Sequence, residues 1–299
     1  MPDGSLSFVE CTGHRVACLS HRHPNPERLP VFWIHGLTMS VRFWEEAMYE
    51  RVREQRSWFS ISLPLHSPST YDGPLTHETL SEDLFAELLA KAIDRLVPEG
   101  QFHLVGHSLG AFAALNYAAK HPARVASIVS IGGFMTGRAK GVEGALQFLS
   151  KGNFARKLLF HFTFRVLQSH VFFLKFATLT YSRAWWKLLR FPALDPTLRA
   201  VFPDVKNHSI AAQQAFCRYL LDMNLLDELD NIQAPVLVMA GEKDPIIPVE
   251  HQIEYATRLP RGHLVLFSGT GHVCFGESPE LFEKTLLEWL EKEGSWIPD

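Results

Sequence analysis

Residues 102–115 read FHLVGHSLGAFAAL, an apolar run that leads through a serine flanked by glycines into a helix-forming segment. This order places Ser108 where a strand turns sharply into a helix, which is the nucleophile-elbow pattern. The turn leaves no room for a side chain two residues before or after the serine, so Gly106 and Gly110 fit the same pattern. The segment therefore predicts that Ser108 is a nucleophile, and an ordinary Gly-Ser turn is the alternative.

Composition restricts the classes of protein to which the chain can belong. Its 299 residues, 46% hydrophobic and 20% charged, suffice for one large α/β domain or a domain with a sizeable insertion. The formal net charge of −3 gives no reason to expect nucleic acid as a partner. Four irregularly spaced cysteines fit neither a disulfide scaffold nor a zinc site. Without a signal-peptide pattern or a membrane-spanning apolar run, a cytoplasmic protein is expected.

Short apolar segments alternate with helical patterns along most of the chain. The segments that read as strands of a parallel sheet are 31–34, 59–63, 102–105, 127–131, 236–239 and 264–267. Residues 5–22 read as an antiparallel start of that sheet. Apolar residues near helical spacing predict a helix over residues 76–96 and a closing helix over residues 279–290.

The alternation stops between residues 134 and 216. No strand-like segment bounded by turn residues occurs there, so we interpret this stretch as a helical insertion. The predicted organisation is a core of residues 1–133 and 217–299 interrupted by an insertion of residues 134–216.

A nucleophilic serine needs a base that accepts its proton and an acid that orients the base. Asp244 follows the predicted strand 236–239 in a turn stiffened by two prolines, and His272 follows the last strand in a glycine turn. Both positions are carboxyl ends of strands, where open α/β sheets place their sites. The order Ser108, Asp244, His272 predicts a catalytic triad. Glu242 is a weaker candidate for the acid, and a turn-forming role is the alternative for Asp244.

The loop after the first parallel strand is the candidate for stabilising negative charge on the substrate. Residues 35–38 read HGLT, and their backbone can place the N–H of Leu37 opposite the N–H of Leu109. Two such donors can hold the oxyanion of an acyl intermediate. We predict that His35 and Gly36 lie at the substrate, with the His35 ring hydrogen-bonded to the backbone.

Taken together, these motifs resemble the α/β-hydrolase fold superfamily, in particular its single-domain serine hydrolases. The resemblance rests on the H-G-x loop at residues 35–37, the G-H-S-L-G elbow at 106–110 and the G-x-x-D acid at 241–244. It implies an α/β fold with a mostly parallel eight-stranded sheet, helices on both faces and a helical cap, residues 134–216, inserted after strand 6. It also implies that Ser108, Asp244 and His272 act as nucleophile, acid and base, with no metal and no organic cofactor.

Departures from particular branches of this superfamily narrow the expected activity. Its dehalogenases and epoxide hydrolases carry Asp at the nucleophile position, where this chain has Ser108. The HGLT loop lacks the H-G-G-P-G of proline iminopeptidase-like members, which disfavours peptidase activity. Residues 62–69 read SLPLHSPS where the family often has D-x-P-G-x-G-x-S. A C–C hydrolase is an open alternative that the loop motifs do not favour.

The predicted cap is basic and rich in aromatic residues. Residues 134–216 contain twelve Lys and Arg against three Asp and Glu. Ligand pockets are lined mainly by apolar and aromatic groups, so this composition suits a lipophilic substrate, for which we predict contacts with Phe134, Trp185 and Trp186. Ordinary helical core packing is the alternative. Residues 158–181 are too polar to span a bilayer but resemble an interfacial helix, or a surface for an acidic carrier protein.

These features predict a serine hydrolase that cleaves a carboxylic ester of a hydrophobic, lipid-like substrate through an acyl-enzyme intermediate. An acyl thioesterase or acyltransferase that uses the same triad is the first alternative, and a ligand-binding protein without catalysis is the second. The expected partner is a small hydrophobic ester rather than nucleic acid. Peripheral contact with a membrane or an acyl carrier through the cap is a further hypothesis.

Overall fold

An open, mostly parallel sheet organises the chain. The computed structural model describes residues 4–24, 27–74 and 79–292. The strands in this part of the chain are β1 (Ser5–Cys11), β2 (His14–His21), β3 (Val31–Ile34), β4 (Trp58–Ile61), β5 (Thr70–Tyr71), β6 (Phe102–His107), β7 (Val125–Ile131), β8 (Val236–Gly241) and β9 (Gly262–Phe267). Their order across the sheet is β1-β2-β4-β3-β6-β7-β8-β9, and β5 pairs with β2.

The pairing directions confirm the predicted sheet. β1 pairs antiparallel with β2, and β2 pairs antiparallel with β4, as expected for residues 5–22. From β4 to β9 every neighbouring pair is parallel. The eight strands of the main path match the predicted number. The two-residue β5 is an additional segment, and it is too short to leave a periodic signal in the sequence.

The described helices connect these strands. They are α1 (Phe43–Ala47), α2 (Glu50–Gln55), α3 (Glu82–Leu96), α4 (Leu109–Lys120), α5 (Gly141–Ser150), α6 (Phe154–Ser169), α7 (Val171–Leu179), α8 (Trp185–Leu188), α9 (Leu194–Lys206), α10 (Ile210–Tyr219), α11 (Val249–Arg258), α12 (Cys274–Glu277) and α13 (Pro279–Glu291). None of them is both long and apolar enough to cross a membrane.

Alternate residues of the central strands face two separate cores. Phe32 and Ile34 of β3 pack in one core with residues of α3, α4 and α11. Val31 and Trp33 of the same strand pack in the other core with residues of α1 and α13. Because successive side chains of a strand point to opposite faces, helices cover both sides of the sheet, as predicted. Burial on both sides explains why the parallel strands read as continuous apolar runs.

The predicted helix over residues 76–96 begins later than expected. α3 begins at Glu82, and the side chain of Ser81 caps it by accepting a hydrogen bond from the backbone N–H of Leu84. Residues 79–81 precede the helix, while residues 76–78 lie outside the described part of the chain. Leu80, although in helical register, is buried in the core without being helical. The hydrogen bond from the N-terminal capping residue Ser81, rather than the apolar spacing, therefore determines where this helix starts.

Helices α5 to α10 occupy the stretch between β7 and β8. Where the chain leaves and re-enters the sheet region, Thr136 and Asn224 form an isolated antiparallel bridge. The N–H of Gly137 donates to the carbonyl of Met223, which ties the two ends together. The boundary placed between residues 216 and 217 falls inside α10, so this pairing is a more natural limit for the insertion.

The turn from β6 into α4 is closed by direct backbone contact. A Cβ atom on Gly106 would collide with the carbonyl oxygen of Gly110, and a Cβ atom on Gly110 would collide with the carbonyl oxygen of Ile34 in β3. Both neighbours are backbone atoms that cannot rotate away. Only glycine at these two positions lets the helix begin directly against the sheet.

We expect Gly110→Ala to lower the free energy of unfolding by about 2–3 kcal/mol, because the new methyl group forces the backbone of β3 and α4 apart. Urea unfolding followed by circular dichroism measures the change. Gly100→Asn is the matched control, since Gly100 has a positive φ of 85° but a Cβ atom there would meet nothing within 4 Å. Equal destabilisation by the two substitutions would show that backbone contact at the elbow is not the cause.

Candidate active site

Ser108 sits between β6 and α4 with a backbone conformation that a non-glycine residue rarely adopts. Its φ is 54° and its ψ is −117°. Such a conformation costs on the order of 1–3 kcal/mol and persists only where the surroundings impose it. The N–H of Ser108 donates to the carbonyl of Ile131 in β7 over 2.8 Å, which holds the turn. The Ser108 Oγ is buried and has no hydrogen-bond partner among the described residues.

The imidazole of His272 is held by the carboxylate of Asp244. Nδ1 of His272 lies 2.8 Å from Oδ2 of Asp244, and both side chains are fully buried. Oδ1 of Asp244 accepts from the backbone N–H groups of Ile246 (2.8 Å) and Ile247 (2.9 Å), and Nε2 of Gln252 donates to Oδ2. The carboxylate is therefore fixed by backbone and side chain, and it in turn fixes the orientation of the ring.

The structure brings Ser108 and His272 to one cavity. Both residues line it, and Nε2 of His272, like the Ser108 Oγ, is buried without a hydrogen-bond partner among the described residues. Other buried polar atoms of the described residues also lack a partner, but these two are a hydroxyl and an imidazole nitrogen on the wall of the same cavity, where a bound molecule can complete their hydrogen bonds. The three residues predicted from the motif order thus form one constellation at the carboxyl ends of the strands.

Glu242, the weaker candidate for the acid, has a different place. It is exposed, and its Oε2 accepts from the N–H of Gly269 over 2.9 Å and from the hydroxyl of Ser268 over 3.1 Å. These bonds stabilise the turn after β9. Geometry therefore favours Asp244 over Glu242 as the partner of the imidazole.

The loop after β3 lies directly against Ser108. A Cβ atom on Gly36 would come within 3.1 Å of Nδ1 of His107 and within 3.4 Å of the Cβ of Ser108, so the loop packs closely on the elbow. The N–H groups of Leu37 and Leu109 donate to no acceptor within the described part of the chain. Gly36 and Leu37 both line the cavity. Both predicted donors therefore lack an acceptor among the described residues, and Leu37 lines the cavity while Leu109 does not.

Histidines beneath this loop hold its backbone, and the first of them is His35. Nδ1 of His35 lies 2.8 Å from the carbonyl oxygen of Gly36, and Nε2 accepts from the N–H of Leu63 over 3.1 Å. A carbonyl oxygen only accepts, so the proton of the neutral ring is on Nδ1. His35 does not line the cavity. It joins the loops after β3 and β4 instead of making the substrate contact that the sequence suggested.

His66 and His208 continue this network, and the sequence analysis did not single them out. Nε2 of His66 accepts from the N–H of Thr38 over 3.3 Å, while its Nδ1 donates to the backbone two residues earlier. Nδ1 of His208 accepts from the N–H of Ser67, and its Nε2 donates to the carbonyl of Met39. The sequence offered one signal for these histidines, which was the departure of residues 62–69 from the family pattern. A loop of different sequence needs different hydrogen-bond partners to hold its backbone.

A mostly apolar cavity of about 250 Å³ extends from Ser108 and His272 into the inserted helices. Its lining differs from the sequence prediction. Phe134 is buried in the core, where it stacks on Phe112, and Trp185 and Trp186 are about half exposed on α8 outside the cavity. On this one-turn helix Leu188 faces the cavity instead. Composition identified an aromatic segment, but it could not tell which side of each helix faces inward.

Glu143 is a buried acid in the cavity wall that the sequence analysis missed. The hydroxyl of Tyr181 donates to its Oε1 over 3.2 Å. Burial raises the pKa of the Glu143 carboxyl, an effect that the nearby His272 partly opposes. It is one of only three acidic residues in the range 134–216, which was the signal available in the sequence.

Glu277 connects the inserted segment to the His272 loop. Its Oε2 accepts from the N–H groups of Arg183 and Ala184, and its Oε1 accepts from the N–H of Gly271 over 2.9 Å. The N–H of His272 itself donates to the carbonyl of Tyr181 over 2.9 Å. The segment that follows α7 therefore helps to position the candidate base.

Opposing influences act on the ionisation of His272. Burial lowers the pKa of the imidazole, but the charge and hydrogen bond of Asp244, with further contributions from Glu143 and Glu277, raise it above the ordinary value of 6.5. The protonated ring is therefore stabilised next to a fixed carboxylate. This is the arrangement that a base needs if it is to accept a proton from a neighbouring hydroxyl.

We expect Asp244→Asn to lower the pKa of His272 below 6.5, because burial, the largest influence, is then opposed only by the smaller contributions of Glu143 and Glu277. NMR titration of the imidazole measures this pKa directly. Glu242→Gln is the matched control, since it removes a carboxylate from the same turn without touching the ring, and it should leave the His272 pKa in place. A larger change with Glu242→Gln than with Asp244→Asn would contradict the assignment of the acid.

Acid should destabilise the fold through the buried histidines. Burial lowers the pKa of His35 to about 3 and that of His208 to about 4, and it holds the pKa of His66 well below 6.5. Between pH 6.5 and these values the unfolded chain binds protons that the folded chain does not. The free energy of unfolding therefore falls as pH falls, by up to about 1.4 kcal/mol per pH unit for each histidine.

Urea unfolding at about pH 7, 6 and 5 tests this dependence. The control is His66→Gln, because glutamine can donate and accept as the neutral ring does but cannot titrate. We expect a shallower fall of stability with acid in this variant. An unchanged pH dependence would show that His66 is not neutral in the folded protein.

Comparison with known proteins shows the family to which the chain belongs. The family model described as alpha/beta hydrolase fold matches residues 30–279. A protein of Pantoea ananatis named as a carbamate hydrolase, RutD, is 27% identical over 272 residues, covering 88% of this chain and 85% of the relative. A 2-hydroxy-6-oxononadienedioate/2-hydroxy-6-oxononatrienedioate hydrolase of Burkholderia vietnamiensis is 27% identical over 220 residues, covering 70% of this chain and 69% of the relative.

Solved structures show the same architecture. The esterase EaEST from Exiguobacterium antarcticum superimposes with a TM-score of 0.73 at 20% sequence identity, covering 95% of this chain and 99% of the esterase. The match extends over nearly the whole of both chains, and the family model covers the elbow, Asp244 and His272. The chain belongs to the alpha/beta hydrolase fold family, and it is a hydrolase of that fold.

Proposed function

We propose that this chain is a serine hydrolase that cleaves an uncharged carboxylic ester with a hydrophobic acyl or alcohol part. The observation that carries this proposal is the pair of buried, unpartnered atoms, Ser108 Oγ and His272 Nε2, at the wall of one apolar cavity within the described residues. No hydrogen bond joins the two atoms in this structure, but a serine hydroxyl that can pass its proton to a base in the same site is an activated nucleophile.

In the proposed reaction the Ser108 Oγ attacks the ester carbonyl while His272 Nε2 accepts the hydroxyl proton. Asp244 holds the Nδ1–H of the ring and stabilises the imidazolium that forms. The N–H groups of Leu37 and Leu109 bind the oxyanion of the tetrahedral intermediate. The ring returns its proton to the departing alcohol, which leaves an acyl group on Ser108. Water, deprotonated by the same histidine, then releases the acid and restores the serine.

The cavity wall supports an uncharged substrate. No Lys or Arg is found among the described residues that line it, and Glu143 is an acid whose raised pKa favours the neutral form. A dicarboxylate, such as the dienedioate in the name of the Burkholderia vietnamiensis relative, would have no cationic partner in this wall. The same lining does not favour C–C cleavage of such a compound as the activity of this chain.

Acyl thioester cleavage, or transfer of the acyl group to an alcohol, is the second candidate. Exposed cations on α6, Arg156, Lys157 and Arg165, could pair with the phosphates of a thioester carrier. The triad chemistry would be identical up to the acyl-enzyme, and only the leaving group or the acceptor would differ. A binding protein without catalysis is less well supported, because binding alone has no need for the Ser108, His272 and Asp244 arrangement.

We expect Ser108→Ala to reduce the hydrolysis of p-nitrophenyl esters at least about 10³-fold, because the nucleophile is removed while the fold remains. The wild-type rate should increase from acetate towards medium or long acyl chains as the apolar cavity fills. Ser5→Ala, which changes an exposed serine at the sheet edge, is the matched control and should keep full activity.

Covalent labelling with a fluorophosphonate, followed by peptide mass mapping, provides an independent readout. The label should be attached to Ser108 and be absent from the Ser108→Ala protein. Turnover of esters by Ser108→Ala at the wild-type rate would refute the proposal. Labelling of Ser108 with turnover of acyl thioesters but not of oxygen esters would favour the second candidate.

A further inference from the structure

Helices α6 and α7 present large apolar side chains to solvent. Phe154 is 80% exposed and Phe162 is 63% exposed on α6, and Phe172 and Phe176 are 62% and 63% exposed on α7. We define the apolar patch as these four residues together with three further exposed side chains of the same helices, Leu158, Leu159 and Phe173. Single exposed apolar residues are ordinary, but a group of this size on consecutive helices indicates an interaction surface.

The patch lies on the outer side of α6, and the side of this helix that packs on the protein is a different one. α6 buries Phe160, Phe164 and Gln168 against the rest of the protein. Phe154, Leu158 and Phe162 follow one another at four-residue spacing on a different side of the same helix. A helix at an ordinary protein surface is polar on its outer side. The outer side of α6 instead carries large apolar side chains among its exposed polar residues, so it is suited to a medium that is both apolar and polar.

Unpaired positive charge surrounds the patch. Arg156, Lys157 and Arg165 are exposed on α6, and none of them forms an ion pair with a carboxylate in the described part of the chain. The guanidinium of Arg156 lies 4.0 Å from the ring centre of Phe148 on α5. Cations with long aliphatic stems beside exposed aromatic rings are the pattern of a surface that meets lipid headgroups.

The acidic residues of the inserted helices do not compensate this charge. Asp195 pairs with Lys175 over 2.7 Å, and Asp204 lies 3.6 Å from Arg42. The third acid, Glu143, is buried in the cavity wall. The exposed side of α6 is therefore positive, which is complementary to an anionic surface.

The cavity opens within this patch. Phe173 and Phe176 belong to the patch and also line the cavity. Thr163 of α6, which is exposed next to the patch, lines the cavity as well. The hydroxyl of Thr163 donates to the carbonyl of Leu159, another patch residue one helical turn earlier. Ser108 lies in the wall of the same cavity. An apolar route therefore joins the patch to the candidate nucleophile.

We propose that the apolar patch docks on an anionic lipid membrane and that the cavity receives an uncharged ester from that membrane. Phenylalanine and leucine side chains enter the boundary between headgroups and acyl chains, while the cations of α6 contact lipid phosphates. A fluid bilayer covers protruding side chains without a complementary protein surface. Entry of the ester beside Phe173 and Phe176, which belong both to the patch and to the cavity lining, also avoids exposing it to water. The docking step is independent of the proposed function, whereas the transfer step rests on the proposed function.

Sedimentation with vesicles tests the docking step. The protein is used as Ser108→Ala, so that lipid hydrolysis does not interfere, with vesicles of phosphatidylcholine alone or mixed equally with phosphatidylglycerol. We expect binding to the mixed vesicles at low ionic strength and weaker binding at high salt. Leu158→Glu/Phe162→Glu should weaken this binding at least about tenfold. Leu266→Glu/Leu281→Glu, an equal charge change at exposed leucines on β9 and α13, should not.

A second pair of substitutions measures how much the cations of α6 contribute to vesicle binding. Lys157→Glu/Arg165→Glu should weaken binding to the mixed vesicles at least about 25-fold, at about fivefold for each cation lost. Ser108→Ala protein that stays in the supernatant with mixed vesicles at low ionic strength would overturn the proposal. Equal binding by the patch and control variants would also overturn it.

Other occupants of the patch give different results. If it joined two copies of this chain, sedimentation velocity without vesicles would show a dimer that Leu158→Glu/Phe162→Glu dissociates, and vesicles would not bind. If it received an acidic carrier protein, that protein would bind while mixed vesicles did not. Either outcome would overturn membrane docking.

The transfer step is measured with the intact nucleophile. Hydrolysis of a fluorogenic long-chain ester embedded in mixed vesicles should fall at least about tenfold in Leu158→Glu/Phe162→Glu. Hydrolysis of soluble p-nitrophenyl butyrate should stay within about twofold of wild type, since neither residue lines the cavity. Undiminished hydrolysis of the embedded ester would overturn the transfer step. If the wild-type protein did not hydrolyse soluble p-nitrophenyl butyrate, the proposed function would be contradicted, while the vesicle-binding result would still stand.

Discussion

The close contact of three backbone segments at the elbow is the constraint on which the rest of the site depends. Gly106 and Gly110 let the start of α4 lie directly against β3, so that Ser108 occupies a strained conformation at the end of β6. The same contact brings the loop that contains Gly36 and Leu37 next to the serine. Without this approach Ser108 and the candidate oxyanion donors would be separated, whatever the residues around them.

Buried polar side chains connect the loops around Ser108 and His272 to distant parts of the chain through hydrogen bonds. His66 and His208 support the loop after β3 from the loop after β4 and from the segment between α9 and α10. Glu277 ties the loop of His272 to the segment that follows α7. Breaking either connection would leave buried donors without acceptors, which is costly inside a protein. Helices α5 to α9 therefore contribute to the candidate site, since residues of these helices line much of its apolar cavity, and α6 and α7 present the apolar patch.

Much of the fold and the site could be predicted from the sequence because both depend on local patterns. Apolar runs marked the strands, and glycines marked the elbow around Ser108. The positions of Asp244 and His272 after the last two strands placed them at the edge of the sheet that also holds the serine. Phe134, Trp185 and Trp186 were placed at the substrate on composition alone, and the cavity lining includes none of them. Composition shows which residues a segment contains but not which way each side chain faces.

The sequence by itself determined the alternation of strands and helices in the core, the elbow and the candidate triad, because these depend on apolar periodicity, on the glycines around Ser108 and on positions directly after strands. Only the tertiary structure decided which side chains line the cavity, which support the loops and which remain exposed. Glu143 meets Tyr181 across thirty-eight residues of sequence, and His208 reaches Met39 across 169. Such pairs leave no periodic signal, because packing of distant segments, rather than local conformation, brings them together.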